Sequence, residues 1–222
     1  MSQVQKPLLL ELFSGTGSIG TAFRARGWDV ISLDIDAKAN ADIRKNVLEF
    51  DVSELQGREV DVVWASPPCV MFSIARHEST KDELEASDAM VKKSLLIARE
   101  LGCPIFIENP ATGKLKTRGI LDHLRMHRVD YCKYSNWPYR KRTAIWTDTA
   151  WKPLRALCKY DCAGTVPGAK RHIAHAQQGT PGPLFSRRQL YRIPPDLCNE
   201  IAAFCDATMT TREQRDISVT SA

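Results

Sequence analysis

Short apolar runs alternate along the chain with segments in which apolar residues recur every three or four positions. The runs, which are typical of strands covered on both faces, lie at residues 8–13, 29–35, 60–65 and 104–109. The periodic segments, which predict helices, lie at 18–27, 37–46 and 82–102. Two more strand candidates, predicted to pair as a hairpin at the sheet edge, lie at 128–135 and 142–148. This order predicts an α/β fold with a mostly parallel sheet and helices on both faces.

The chain changes character after the sheet domain, which is predicted to comprise residues 1–148. Residues 149–193 are rich in Pro, Gly and Arg and have no clear period, which predicts a small irregular insert. Residues 194–208 begin with prolines and carry one apolar face, so they are predicted to form a helix that returns to the sheet domain. Residues 209–222 are predicted to be a flexible tail.

Charge is distributed unevenly along the chain. The net charge is +5 over 222 residues, but residues 1–113 carry −5 and residues 114–195 carry +13. Such an excess favours a bound polyanion over a merely solvated basic face. No run reaches the roughly 18 apolar residues of a membrane span, and the first residues lack a signal-peptide pattern. We therefore expect a soluble, intracellular protein whose seven cysteines are mostly reduced.

A glycine-rich turn, Phe13-Ser14-Gly15-Thr16-Gly17, follows the first strand candidate. Its glycines allow a tight turn, and the helix that follows offers free N–H groups to a ligand. Asp34 ends the next strand, where a carboxylate reaches ribose hydroxyls in nucleotide-binding folds. Because no full G-x-G-x-x-G is present, a mononucleoside such as S-adenosylmethionine fits best, with Asp51 a candidate acceptor for the adenine amino group. The alternative is that Asp34 and Asp36 are helix caps.

Two further candidates follow the third and fourth strands. Cys69 comes after Ser66-Pro67-Pro68, and the prolines predict a stiff turn that holds the thiol in place. Glu108, followed by Asn109-Pro110, ends the next strand. Because open α/β sheets bind ligands at the carboxyl ends of their strands, we expect this thiol and this carboxyl group to face one crevice beside the cofactor. A cysteine alone is more often buried filler than a nucleophile.

These motifs together resemble those of the cytosine-C5 DNA methyltransferases, in particular the short phage- and bacterial-type members. The order is F-x-G-x-G, D-x-D, P-P-C-x-x-F-S, E-N and R-x-R, and it covers most of residues 8–148. The resemblance implies a Rossmann-like, class I S-adenosylmethionine-dependent methyltransferase. It implies that Phe13, Ser14, Gly15, Gly17 and Asp34 hold the cofactor, and that Cys69 is the nucleophile, assisted by Glu108 and Arg142.

The implied chemistry explains these residue types. A thiolate that adds to carbon 6 of cytosine makes carbon 5 nucleophilic enough to accept a methyl group. Glu108 would hold N3 of the base and Arg142 its carbonyl oxygen, while residues 70–83 would form a loop that closes over the site. In duplex DNA the base must be flipped out, and the basic surface within 114–195 would hold the DNA. A restriction-modification role, in the cytoplasm or at the nucleoid, follows only from the resemblance.

The chain also departs from the family pattern. Pro138 stands where the family has Gln before R-x-R, and the region after Asp148 is too short for a usual target-recognition domain, so a protein partner could supply recognition. Three alternatives stay open: a cytosine-N4 methyltransferase, because Ser-Pro-Pro also begins that motif; an enzyme acting on RNA; and a catalytically idle or partner-dependent subunit. An aromatic residue is expected after the prolines in the N4 class, and Cys69 argues against it.

Four candidate metal ligands lie in the insert, as Cys158-x3-Cys162 and His172-x2-His175. They could bind zinc, which would order a segment that lacks its own core. The alternative is a pair of reduced thiols with histidines that contact phosphate. The sequence does not decide between them, and no metal ligand is assigned from it.

Overall fold

The computed structural model describes residues 5–72, 79–176 and 185–220, with the side chains of the last helix described as far as residue 209. The strands are β1 (Leu8–Leu12), β2 (Asp29–Asp34), β3 (Ile43–Arg44), β4 (Val62–Ala65), β5 (Ile105–Pro110), β6 (Arg125–Asp130) and β7 (Arg142–Thr147). The α-helices are α1 (Ser18–Ala25), α2 (Lys81–Leu101), α3 (Arg187–Tyr191) and α4 (Pro195–Thr220). Short 3-10 turns connect several of these elements.

The seven strands form one sheet in the order β3-β2-β1-β4-β5-β7-β6. The first five are parallel to one another, whereas β7 is antiparallel to both β5 and β6. The prediction of a mostly parallel sheet with an edge hairpin is therefore confirmed. Because β1, β2, β4 and β5 run in the same direction, the segments that follow them meet at one edge of the sheet.

Two apolar layers cover the sheet, one on each face. On one face α2 packs through Val91 and Ile97 against the cluster that contains Val63 and Ile107. On the other face α1 and α4 share a cluster with Trp64, in which Phe23 is 1% exposed. Helices on both faces are thus confirmed, and they explain why the central strands lack a polar face.

The ends of α2 follow from local sequence chemistry. Thr80 accepts a hydrogen bond from the Glu83 amide, and the Glu83 side chain accepts one from the Thr80 amide, so a capping box begins the helix. Gly102 ends it with φ at 64°, in the left-handed region that glycine adopts without strain. The predicted helix at 82–102 is confirmed to within one residue at each end.

The helix predicted at 37–46 is wrong. Residues Ala37–Ala39 form a single 3-10 turn, and Ile43–Arg44 pair with β2 as the edge strand β3. Asp36 and Asn46 accept hydrogen bonds from backbone amides as caps of separate short turns, and this competes with a continuous helix. The segment also has too few apolar residues to form a buried helical stripe.

The last helix is longer than expected. α4 continues to Thr220, so the chain is helical over most of the predicted flexible tail, in which residues 209–220 contain no Gly or Pro to end the helix. The described residues of the insert form the short helix α3 and an isolated bridge between Thr165 and His172. A second isolated bridge joins Ala174 of the insert to Tyr139. None of the helices described here is long and apolar enough to cross a membrane.

Candidate active site

The turn after β1 has an unusual backbone. Phe13, Gly15 and Gly17 all have positive φ, at 56°, 52° and 66°. This is ordinary for glycine but strained for Phe13, and such strain is concentrated at ligand-binding sites. Ser14 is buried, and its hydroxyl has no hydrogen-bond partner among the described residues. A turn with a free buried hydroxyl at a helix start fits a polar ligand such as the predicted cofactor.

Asp34 fastens this turn to the end of β2. One carboxylate oxygen of Asp34 accepts a hydrogen bond from the Gly15 amide at 2.8 Å, and the other accepts one from the Asp36 amide at 2.8 Å. Asp36 itself accepts from the Lys38 amide as a cap. The helix-cap alternative therefore describes Asp36, whereas Asp34 joins the two segments that are predicted to hold the cofactor.

Asp51 caps another short turn, Val52–Leu55. It accepts a hydrogen bond from the Ser53 amide, and its hydrogen bonds to Ser53 hold the pKa of this exposed carboxyl below its usual value. It is therefore ionised and accessible, as an acceptor for an amino group must be. The role of Asp51 in binding adenine stays a prediction.

Glu11 is a buried group that the sequence pattern concealed within an apolar run. It lies on β1, only 2% exposed, and burial raises its pKa to about 7 although the Gly20 and Ile19 amides oppose this rise. A Cβ atom at Gly20 would lie 2.5 Å from Glu11 Oε2, so a larger residue at this position would force the Glu11 side chain to shift. The Glu11 carboxyl group thus lies against the backbone amides of the first turn of α1.

The Cys69 turn is anchored at both ends. Before it, Asn109 on β5 donates a buried hydrogen bond from Nδ2 to the Pro67 carbonyl oxygen at 2.9 Å. After it, Phe72 is fully buried, and its carbonyl oxygen accepts from the Lys114 amide at 2.7 Å. The predicted loop at 70–83 lies partly outside the described residues, since 73–78 are not among them. Of the neighbours Glu108 and Asn109, the first is therefore a residue of the candidate site and the second holds the Cys69 turn in place.

Glu108 lies on the other face of the sheet from Asn109, where its carboxyl group is near the polar groups of Tyr131 and Lys141. Its Oε1 accepts a hydrogen bond from the Tyr131 hydroxyl at 2.9 Å and lies 4.0 Å from Lys141 Nζ. Burial and the nearby Glu108 raise the pKa of the Cys69 thiol, while Lys141 lowers it. Thiol, carboxyl and ammonium groups therefore interact at the carboxyl edge of the sheet, as the sequence predicted for Cys69 and Glu108.

Arg142 points elsewhere. Its guanidinium makes two hydrogen bonds, of 2.9 and 2.7 Å, to the buried carboxylate of Asp130, the residue opposite it on β6. Side chains alternate along a strand, and Glu108 pairs with Ile145 of β7, so Arg142 lies on the sheet face opposite Glu108. The structure does not bring Arg142 to Cys69 and Glu108. A role in holding the base stays a prediction that this geometry does not support.

Sequence comparison with R-x-R missed Tyr131 and Lys141. Lys141 lies between the two arginines of that motif, and strand alternation is the signal that could have singled it out. Its ammonium group also donates to the Leu190 carbonyl oxygen at 3.0 Å and lies 4.9 Å from the centre of the Tyr131 ring. This hydrogen bond ties the short helix α3 to the segment that precedes β7.

One comparison with known proteins decides the family. The chain is 36% identical over 217 residues to the "Probable DNA (cytosine-5)-methyltransferase" of Frog virus 3 (isolate Goorha), a match that covers 89% of this chain and 99% of the relative. The chain belongs to the DNA (cytosine-5)-methyltransferase family. The resemblance seen in the motifs is thus confirmed, and the seven-stranded sheet is the Rossmann-like architecture of class I methyltransferases that it implied.

Two solved structures were also found. A methyltransferase of Entamoeba histolytica, EhMeth, is 15% identical with a TM-score of 0.44, covering 69% of this chain and 56% of that one. A mutant of DNMT2 of Spodoptera frugiperda is 15% identical with a TM-score of 0.45, covering 73% and 57%. This methyltransferase chain therefore spans just over half the length of these two proteins. No family model matches the chain.

Proposed function

We propose that this protein transfers a methyl group from S-adenosylmethionine to carbon 5 of cytosine in DNA, through a covalent bond between Cys69 and the base. The observation that carries the proposal is the Cys69 turn, which Asn109 fastens to the strand that bears Glu108. The Cys69 thiol and the Glu108 carboxyl group thereby lie at the edge of the sheet at which the strained turn after β1 also lies.

The first step is addition to the base. The Cys69 thiolate forms a bond to carbon 6 of cytosine, while the Glu108 carboxyl group supplies a proton to N3. This proton prevents negative charge from accumulating on the ring. Lys141 supports the thiolate because its positive charge lowers the pKa of Cys69. Tyr131, which donates to Glu108 Oε1, fixes the direction of that carboxyl group.

The later steps restore the aromatic ring. Carbon 5, now enamine-like, takes the methyl group; a base then removes the carbon-5 proton, Cys69 leaves from carbon 6 as thiolate, and N3 returns its proton to Glu108. S-adenosylmethionine supplies the electrophilic methyl group. Phe13, Ser14, Gly15, Gly17 and Asp34 would hold it, and the unpartnered Ser14 hydroxyl is the feature of this turn that best fits a polar ligand.

DNA is proposed as the substrate because of the relative's printed name and the +13 charge of residues 114–195. The lysine and arginine side chains of this segment would neutralise phosphates, which gives affinity for DNA without sequence preference. Target recognition by so short a segment is a reason to propose a partner protein as well. The proposed place of action is the cytoplasm or the nucleoid.

The test is covalent trapping. The full chain is incubated with methyl-labelled S-adenosylmethionine and DNA that contains 5-fluorocytosine, in which fluorine replaces the carbon-5 proton and blocks release. A labelled protein–DNA adduct is expected, and Cys69→Ser should form none, whereas Cys103→Ser, at a cysteine far from the site, should form it normally. Product methylated at N4 would overturn the proposal, and failure to bind cofactor would favour an idle subunit.

A further inference from the structure

We propose that Cys132, Cys158, Cys162 and His172 bind one zinc ion, which fastens the basic insert to the catalytic sheet. Their ligand atoms, three Sγ and one ring nitrogen, all lie within 4.8 Å of one another. This is the donor set of a closed structural zinc site. Among the described residues it is a cluster that the proposed methyl transfer does not use.

The distances match tetrahedral coordination. His172 Nε2 lies 3.6 Å from Cys158 Sγ and 3.3 Å from Cys162 Sγ. Zinc bonds of about 2.3 Å to sulfur and 2.0–2.1 Å to nitrogen would place such ligand atoms about 3.6 Å apart. The four side chains therefore need only small shifts to surround one ion.

The turn between the two insert cysteines is shaped for ligation. Tyr160, within Cys158-x3-Cys162, has φ at 67°, and its backbone amide donates to Cys158 Sγ at 3.3 Å. An amide that donates to sulfur stabilises a metal-bound thiolate, as second-shell groups commonly do at metal sites. The Cys158 amide is itself bound by buried Asp130, which ties the turn to β6.

A small hairpin places His172, and not His175, next to the three cysteines. The Ile173 amide donates to the Gly164 carbonyl oxygen at 2.9 Å, and His172 is bridged to Thr165, so the imidazole is turned back over the cysteines. His175 lies outside the cluster and is exposed. Cys132 was missed from the sequence because it lies 26 residues before Cys158, in the turn after β6.

The middle of the insert, between residues 158 and 176, has almost no core of its own. Between residues 158 and 176, the buried apolar side chains are those of Cys158 and Ala174. A segment without a core commonly depends on a metal for its fold. Cys132 adjoins Tyr131, the partner of Glu108, so the ion would also hold the 3-10 turn Tyr131–Lys133 that places this hydroxyl.

The experiment measures metal content directly and does not depend on methyl transfer. The untagged full chain is purified in reductant, and zinc is measured by mass spectrometry; about one ion per chain is expected. Cys162→Ser and His172→Ala should lose most of it, while the matched control His175→Ala should keep it. His172→Cys should also keep it, because a fourth thiolate is an equally good ligand.

A second measurement avoids variants that fail to fold. Zinc is removed from the unmutated chain with a chelator, and cobalt is added; the absorption bands of tetrahedral thiolate-bound cobalt are expected, and zinc should abolish them. Chelation should also lower the midpoint of thermal unfolding. Absence of both zinc and the cobalt bands would overturn the proposal, as would equal zinc loss in His175→Ala and His172→Ala, or a disulfide among these cysteines in the purified chain.

Discussion

Glu11 and Glu108 are two buried carboxyl groups on strands of one sheet, 2% and 7% exposed, and their partners differ. Glu11 faces backbone amides at the start of α1, whereas Glu108 faces the side chains of Tyr131 and Lys141. Backbone amides are fixed by the fold, but side chains can follow a change of charge on a substrate. Burial alone therefore does not distinguish the carboxyl group that is proposed to act on the base; the kind of partner and the nearby thiol do.

The largest expected effect comes from Glu108→Gln. The amide has nearly the same shape but supplies no proton to N3 of the base, so we expect methyl transfer to fall by about 10²- to 10⁴-fold. Cofactor binding should change little, because Glu108 is not among the groups proposed to hold S-adenosylmethionine. The measurements are the single-turnover rate with labelled cofactor and the cofactor dissociation constant by calorimetry.

The same substitution at the other glutamate is the matched control. Glu11→Gln should retain most of the rate, because Glu11 acts on the scaffold under α1 rather than on the base. Equal losses of rate in the two variants would contradict the distinction between the two carboxyl groups.

Much of the candidate site could be predicted from the sequence, and the parts that could not be predicted have physical causes. Asp34 and Glu108 lie near the ends of predictable strands and Cys69 follows another, and a parallel sheet brings the ends of such strands to one edge. Glu11 was hidden because it is the one charged residue in an apolar run.

The cations near the site were harder to predict than the strands. Lys141 and Arg142 are neighbours in the chain, and only the pairing register decides which of them faces Glu108. Three of the four proposed zinc ligands, Cys158, Cys162 and His172, were candidates in the sequence, whereas Cys132 is brought to them only by the folded sheet.

A second expected effect concerns the stability of the fold and tests the burial of Glu11. Folding raises the pKa of Glu11 from 4.5 to about 7, so the folded state favours its neutral form. The wild type therefore loses stability as pH rises from about 4.5 through about 7, by up to about 3 kcal/mol at 1.4 kcal/mol per pKa unit. Glu11→Gln has no proton to lose and should escape this loss.

The measurement is the free energy of unfolding in urea at pH 5 and pH 8. The advantage of Glu11→Gln over the wild type should grow between these pH values by a large part of that amount. A difference that stays constant with pH would show that the carboxyl group is already ionised at pH 5, and Glu11 would then be an ordinary charged cap of α1.

The smallest expected effect tests whether the partners of Glu108 serve the thiol through charge. Lys141 lowers the pKa of Cys69 against the effect of burial and of Glu108. In Lys141→Met this pKa rises further, so less thiolate is present at neutral pH and the rising limb of the rate–pH profile moves to higher pH. Each unit of displacement lowers the rate tenfold on that limb, and raising the pH restores it.

Lys141→Arg keeps the charge and should keep a profile near that of the wild type. If Lys141→Met instead loses the same factor at every pH, then Lys141 positions Tyr131 and α3 rather than tuning the thiol, and the side-chain partners of Glu108 would be as structural as the backbone partners of Glu11.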